Sequence, residues 1–120
     1  LDDTTRNMVG ERLLGLVKPG AYLVNTARGA VLDIPALVAA LADDRLAGVA
    51  LDVLPTEPIS SGHPLLADER VILTPHAAFY SAPSEVELRT KAAMNIVQWH
   101  RTGRPAYPVV VGRDTRTATP

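Results

Sequence analysis

Apolar positions along this chain fall into two kinds of run, and their alternation lays out its elements. Leu13, Leu14, Leu16 and Val17 stand among polar residues over Gly10–Val17, which predicts a short amphipathic helix stopped by Lys18-Pro19-Gly20. Ala21–Thr26 is continuous, β-prone and bounded by turn formers, the pattern of a buried strand. Asp33 is placed to cap a helix over Ile34–Asp43, with Pro35 in its first turn and Ile34, Leu37, Val38 and Leu41 in its apolar stripe. Gly48–Val53 predicts a second buried strand, and Val71–Thr74 is a third, short apolar strand ended by Pro75, with a proline-punctuated loop from Pro55 to Pro64 between the two. The longest helix starts at Ser81 or Ser84, and Ser84 with Glu87 matches a capping box. Leu88, Ala92, Ile96 and Trp99 recur at helical spacing, a core-facing stripe, until Gly103 supplies the stop.

Strand, helix and strand in succession, with continuous rather than alternating apolar strands, imply a parallel sheet with helices packed on its faces. The predicted class is α/β: about three strands with flanking helices, half of a doubly wound, Rossmann-like sheet. It occupies residues 1–111, and residues 112–120 read as a polar tail. The other half of such a sheet normally carries G-x-G-x-x-G, whose amides hold a pyrophosphate, and no glycines in this chain have that spacing.

Composition narrows the function mostly by exclusion. A net charge of −1, one Phe, one Trp and three Tyr give neither an electrostatic footprint for nucleic acid nor a platform for stacking bases. No apolar run approaches the ~20 residues needed to span a bilayer. The absence of cysteine removes disulfides, thiolate metal sites and a cysteine nucleophile, and suits a cytoplasmic enzyme. The first residues, Leu-Asp-Asp-Thr-Thr-Arg, have neither a basic n-region nor an apolar h-region, and are expected to lie within a longer protein.

In a sheet of this class, ligands bind beyond the carboxyl ends of the strands. Asn25-Thr26-Ala27-Arg28-Gly29 follows the first strand, Asp52 ends the second with Glu57 in the loop beyond, and His76 comes directly after the third. Four chemically capable side chains are therefore predicted on one rim. They suit redox chemistry on a hydroxy acid. An imidazole, with an ordinary pKa near ~6.5, takes or gives the hydroxyl proton near neutrality. A carboxylate beside such a ring holds its orientation and favours its protonated form, and Glu57 is the candidate partner of His76. The planar fork of Arg28 matches a carboxylate or a 2-oxo acid. Hydride transfer itself requires a nicotinamide cofactor.

Leu23-Val24-Asn25-Thr26-Ala27-Arg28-Gly29, Ala50-Leu51-Asp52-Val53 with Glu57-Pro58, and Thr74-Pro75-His76-Ala77-Ala78 resemble the C-terminal signatures of the D-isomer-specific 2-hydroxyacid dehydrogenases, as does Lys18-Pro19-Gly20-Ala21. The resemblance runs from about Asp3 to Pro108 and implies the C-terminal half of an NAD-binding domain. It implies that Arg28 binds the substrate carboxylate and carbonyl, that His76 is the acid/base and that Glu57 pairs with it. It implies NAD as cofactor, with Asp52 at the nicotinamide and Thr26, Ala27, Arg28, His76, Ala77, Ala78 and Phe79 lining it. A small 2-hydroxy or 2-oxo acid would be the substrate, in a protein that is a homodimer when intact. The turn His76-Ala77-Ala78-Phe79-Tyr80-Ser81 is similar to the branch of C-terminal-binding proteins and phosphoglycerate-dehydrogenase-like sequences, and Glu57 departs from the formate dehydrogenase branch, which has Gln there.

Singly, each of these residues has a plainer reading. Arg28-Gly29 is also a strand-exit turn, Asp52 a turn former, Glu57 a solvated loop residue and His76 a structural histidine. The branch that the 77–80 turn resembles includes corepressors, so a dinucleotide-sensing binding module without significant turnover stands as the alternative. His63 and His100 have no acid at ligand spacing, and no metal site is expected.

Overall fold

The computed structural model describes residues 1–109 and divides the chain into two compact units, Leu1–Ala78 and a second starting at Phe79. In the first unit α1 (Glu11–Leu14) leads to β1 (Ala21–Asn25), α2 (Ile34–Ala42), β2 (Leu46–Leu51) and β3 (Val71–Leu73). The strands form one parallel sheet in the order β1-β2-β3, in agreement with the predicted class.

Each element has a local cause. The Asp33 carboxylate accepts from the Ala36 amide at 3.1 Å and caps α2, and a proline opens its first turn. Ala36, Leu37, Ala40 and Leu41 are the buried face of α2, and Leu37 has no exposed surface at all. They join Leu14, Leu32, Leu46, Val49, Leu51 and Leu65 in a single core. Sheet register decides which strand residues reach it. Leu23 pairs with Val49, Val49 with Val71 and Leu51 with Leu73, so all of these share the face that meets the core. Tyr22, Val24 and Ile72 pair with Gly48 and Ala50 on the opposite face.

That opposite face corrects one expectation. β1 reads as a buried strand, yet its Tyr22 and Val24 are exposed, as is Ile72 of the short apolar β3, and only β2 is largely enclosed. A continuous apolar run identifies a strand that tolerates cover on both faces without supplying the cover. Smaller differences have similar local origins. The first helix is a single turn ending before Gly15, and Gly29–Val31 adds an unforeseen 3-10 turn. β2 begins and ends two residues before its predicted bounds, because Leu46 and Ala47 are already extended beside β1. The loop after β2 is irregular as expected, closing in a 3-10 turn at Pro64–Leu66.

The second unit is built on α3 (Ala82–Thr102). Ser81 is its N-cap, and the reciprocal box pairs Ser81 with Ser84 rather than Ser84 with Glu87. Ser84, in the third helical position, replaces the usual acid or amide, its short hydroxyl reaching the Ser81 amide at 2.9 Å. Gly103, at φ 70°, ends the helix in the left-handed region, as its type favours. The expected core-facing stripe is not one: no residue of α3 is buried, and Leu88, Ile96 and Trp99 are each more than half exposed. Helical spacing shows that apolar residues share a face, but it does not show what meets that face. The predicted tail, residues 112–120, lies outside the described residues. Among the described residues, no helix is long and apolar enough to cross a membrane.

Candidate functional site

Parallel strands end on the same side, so the loops leaving β1, β2 and β3 stand along one rim of the sheet. Pairing continues slightly past the strands: the Asp52 amide donates to the Asn25 carbonyl and the Thr74 amide to the Leu51 carbonyl, both at 3.0 Å. Arg28 follows the end of β1 by three residues, Asp52 adjoins the end of β2, and His76 follows β3 by three.

The first loop is shaped by Asn25, a residue that sequence reasoning had treated only as part of a motif. Its side chain is nearly buried; its carbonyl accepts from the Ala27 amide and its amide donates to the Arg28 carbonyl, both at 3.0 Å. This two-sided clamp fixes the backbone that carries Arg28. An asparagine closing a strand ahead of a turn is the signal that identifies it. The Arg28 guanidinium is exposed and donates to the Ala27 carbonyl at 2.6 Å. No ion pair joins it to Glu57 or His76 among the described residues. Thr26 and Ala27 are exposed beside it.

Glu57 and His76 do come together. Glu57 Oε1 accepts from the Leu54 amide at 2.8 Å, which ties the carboxylate to its own loop. Its other oxygen stands 3.9 Å from His76 Nδ1, with both side chains about half exposed. That separation exceeds a hydrogen bond by about 1 Å. Because Nδ1 faces the carboxylate, Nε2 is the nitrogen left for another partner.

Asp52 is the most constrained member of the rim. It is 5% exposed. One of its oxygens accepts from the Thr74 hydroxyl at 2.5 Å and the Ala77 amide at 2.8 Å, and the other from the Ala78 amide at 2.9 Å. The Thr74 hydroxyl first, and then the two amides, hold the carboxyl below the ordinary carboxylate range against the opposing effect of burial. The turn that it ties down contains His76 at φ 55°, a left-handed conformation uncommon for a residue with a side chain. Nothing in the sequence pattern singled out Thr74 for this part.

Residues at the rim suit the nicotinamide end of a dinucleotide. A carboxylate offers about four acceptor positions, and three at Asp52 are filled, which leaves one on Oδ2. Ala77 and Ala78 bring their backbone amides and small side chains to Asp52. Phe79 belongs to the second unit, where it is about half exposed and stacks on Tyr80 with ring centres 4.3 Å apart. Among the described residues no group of acids and histidines is arranged to hold a metal.

Three parallel strand ends, an Asx-clamped arginine loop and a carboxylate–imidazole pair define a dinucleotide-binding domain of the dehydrogenase kind. Residues 1–78 match the family model described as D-isomer specific 2-hydroxyacid dehydrogenase, NAD binding domain. The chain is 42% identical to a glyoxylate reductase of Aeropyrum pernix over 95% of its own length and 33% of that protein's. It is 38% identical to the D-3-phosphoglycerate dehydrogenase of Escherichia coli K12, over 83% of this chain and 25% of that one. Among solved structures, a glyoxylate reductase from Paecilomyes thermophila superposes with a TM-score of 0.82 at 35% identity, over 91% of this chain and 33% of the other. The chain belongs to the NAD-binding-domain family of the D-isomer specific 2-hydroxyacid dehydrogenases. It spans about a third or less of the length of these curated relatives.

Proposed function

We propose that this chain supplies the substrate-binding and proton-transfer side of an NAD-dependent dehydrogenase acting, in the complete protein, on a small D-2-hydroxy acid or its 2-oxo counterpart. The carrying observation is the approach of His76 Nδ1 to Glu57 Oε2, 3.9 Å apart, on the rim that also bears Arg28. In this reading residues 1–111 make up the C-terminal half of the NAD-binding domain, and the complete protein is a cytoplasmic homodimer.

A nicotinamide held at this rim would supply the hydride acceptor for the hydroxyl-bearing carbon, and the hydride donor for the reverse reaction. The protein's share is binding and proton management. Arg28, freed from its bond to the Ala27 carbonyl, grips the substrate carboxylate and the adjoining oxygen with paired donors. His76 takes the hydroxyl proton at Nε2 as the carbonyl forms, and gives it back during reduction. Glu57, anchored by the Leu54 amide, holds the opposite edge of the ring and stabilises the imidazolium that results. Asp52 keeps the turn beneath the histidine in place and offers its remaining lone pair to the cofactor.

Steady-state turnover of a panel of 2-oxo acids with NADH by the complete protein tests this reading. Arg28→Ala is expected to raise KM and lower turnover, and His76→Ala to lower kcat by about 100-fold or more. Near-normal rates from the His76 variant sink the assignment. The exposed Phe79–Tyr80 stack favours a second reading, a dinucleotide-sensing module that recruits protein partners. Retention of a partner without turnover of any 2-oxo acid would favour it.

A further inference from the structure

Between the arginine loop and the glutamate loop there is no room for a side chain, and Gly29 is the residue that makes their contact possible. Gly29 is buried and opens the 3-10 turn directly after Arg28. A Cβ built on it would stand 1.9 Å from the Leu54 carbonyl carbon, 2.2 Å from the Leu54 oxygen and 2.3 Å from the Pro55 nitrogen. All three atoms are backbone, so no rotamer change relieves the overlap. The requirement is for space, since Gly29 is not among the positive-φ residues of the chain.

What lies on either side of this contact gives it consequence. Arg28 is rigidly tied to it: the Arg28 carbonyl accepts from the Asn25 side chain at 3.0 Å and from the Val31 amide at 3.2 Å. Across the contact, Leu54 supplies both the carbonyl pressed against Gly29 and the amide that holds Glu57 Oε1 at 2.8 Å. One residue therefore sets how far the Arg28 turn stands from the anchor of the carboxylate that faces His76.

We infer that Gly29 is a positioning residue that holds the substrate-binding arginine in register with the Glu57–His76 pair, an inference that rests on the function proposed above. Reaching an ordinary contact of 3.4 Å from 1.9 Å requires the loops to separate by about 1.5 Å. Misplacement of about 1 Å in a reacting constellation can cost on the order of 100-fold in rate. Gly29→Ala thus separates two groups that each remain chemically intact.

The test has two arms. In the isotopically labelled chain, the Leu54 amide of Gly29→Ala is expected to shift and to exchange faster as its bond to Glu57 is disturbed. In the complete protein, the same variant is expected to lose about 100-fold in kcat/KM for a 2-oxo acid with NADH, with a displaced pH–rate limb and NADH affinity unchanged within about twofold. If Gly29→Ala does not fold, the double variant with Pro55→Gly, whose loop can yield, carries the same readouts. A Leu54 amide that stays in place overturns the inference whatever the kinetics. So does a moved amide with unchanged kcat/KM and an unchanged pH limb in an active enzyme, a result that leaves the proposed function standing. A complete protein that turns over no 2-oxo acid removes the proposed function and, with it, the catalytic half of this inference, while the amide shift still decides whether Gly29 sets the spacing of the two loops.

Discussion

Leu37 and Ile96 both sit in apolar rows at helical spacing, yet truncating them to alanine should have very unequal consequences. Leu37 has no exposed surface and lies in the core shared by α2 and the sheet. Cutting it to alanine removes an isopropyl group from a closed environment, so the lost transfer free energy and the residual cavity add to about 3–4 kcal/mol. Against a stability of about 5–15 kcal/mol for a domain of ordinary size, that is about a fifth to four-fifths of the total. At about 4–8 °C per kcal/mol for a small domain, the melting temperature should fall by about 12–30 °C. Ile96 is 73% exposed on α3, and its truncation should leave stability within about 0.5 kcal/mol, helped by the better helix propensity of alanine. Far-UV circular dichroism melts and urea midpoints of both variants measure the difference. A Leu37→Ala loss below about 1 kcal/mol, or an equal loss at the two sites, would refute the packing described here.

Two further outcomes follow from the rim and from the long helix. Asp52 is held below its ordinary value, so its contribution to stability is fully present above the unfolded carboxyl value of 3.8 and disappears as pH falls through the lower folded value. Asp52→Asn, with one acceptor oxygen for three donors, should flatten that acid limb and speed amide exchange at Ala77 and Ala78 at neutral pH; a wild-type acid limb in the variant would count against the clamp. Ser81→Ala removes the reciprocal cap of α3 and should cost about 1 kcal/mol of local stability, visible as faster exchange over its first turn and no change in the exchange of the sheet. Uniform loss across both units would contradict a local cap.

Much of the architecture was legible because it rests on short-range rules. Asp33 before an apolar-periodic run announced α2, and Gly103 announced the end of α3, since each meets a backbone need within a few residues of itself. The order of strands and helices was enough to predict parallel pairing, and parallel pairing was enough to place Arg28, Asp52, Glu57 and His76 along one rim. Less legible were the residues that act across long separations. Thr74 bonds Asp52 from 22 positions away, and Gly29 meets Leu54, 25 positions later, through an absence of atoms rather than a presence. No local pattern records either.

By its own order of residues, then, this chain determined its elements, its family and the chemical types brought to the rim, because periodicity, caps and motifs act over a turn or a strand. Which apolar faces are covered, how near Glu57 comes to His76, and what Asp52 does with its two oxygens were decided only by tertiary structure. Burial and hydrogen-bond geometry depend on distances between segments that are far apart along the chain. Such distances are properties of the packed molecule, and an apolar stripe such as that of α3 shows only that its residues share a face.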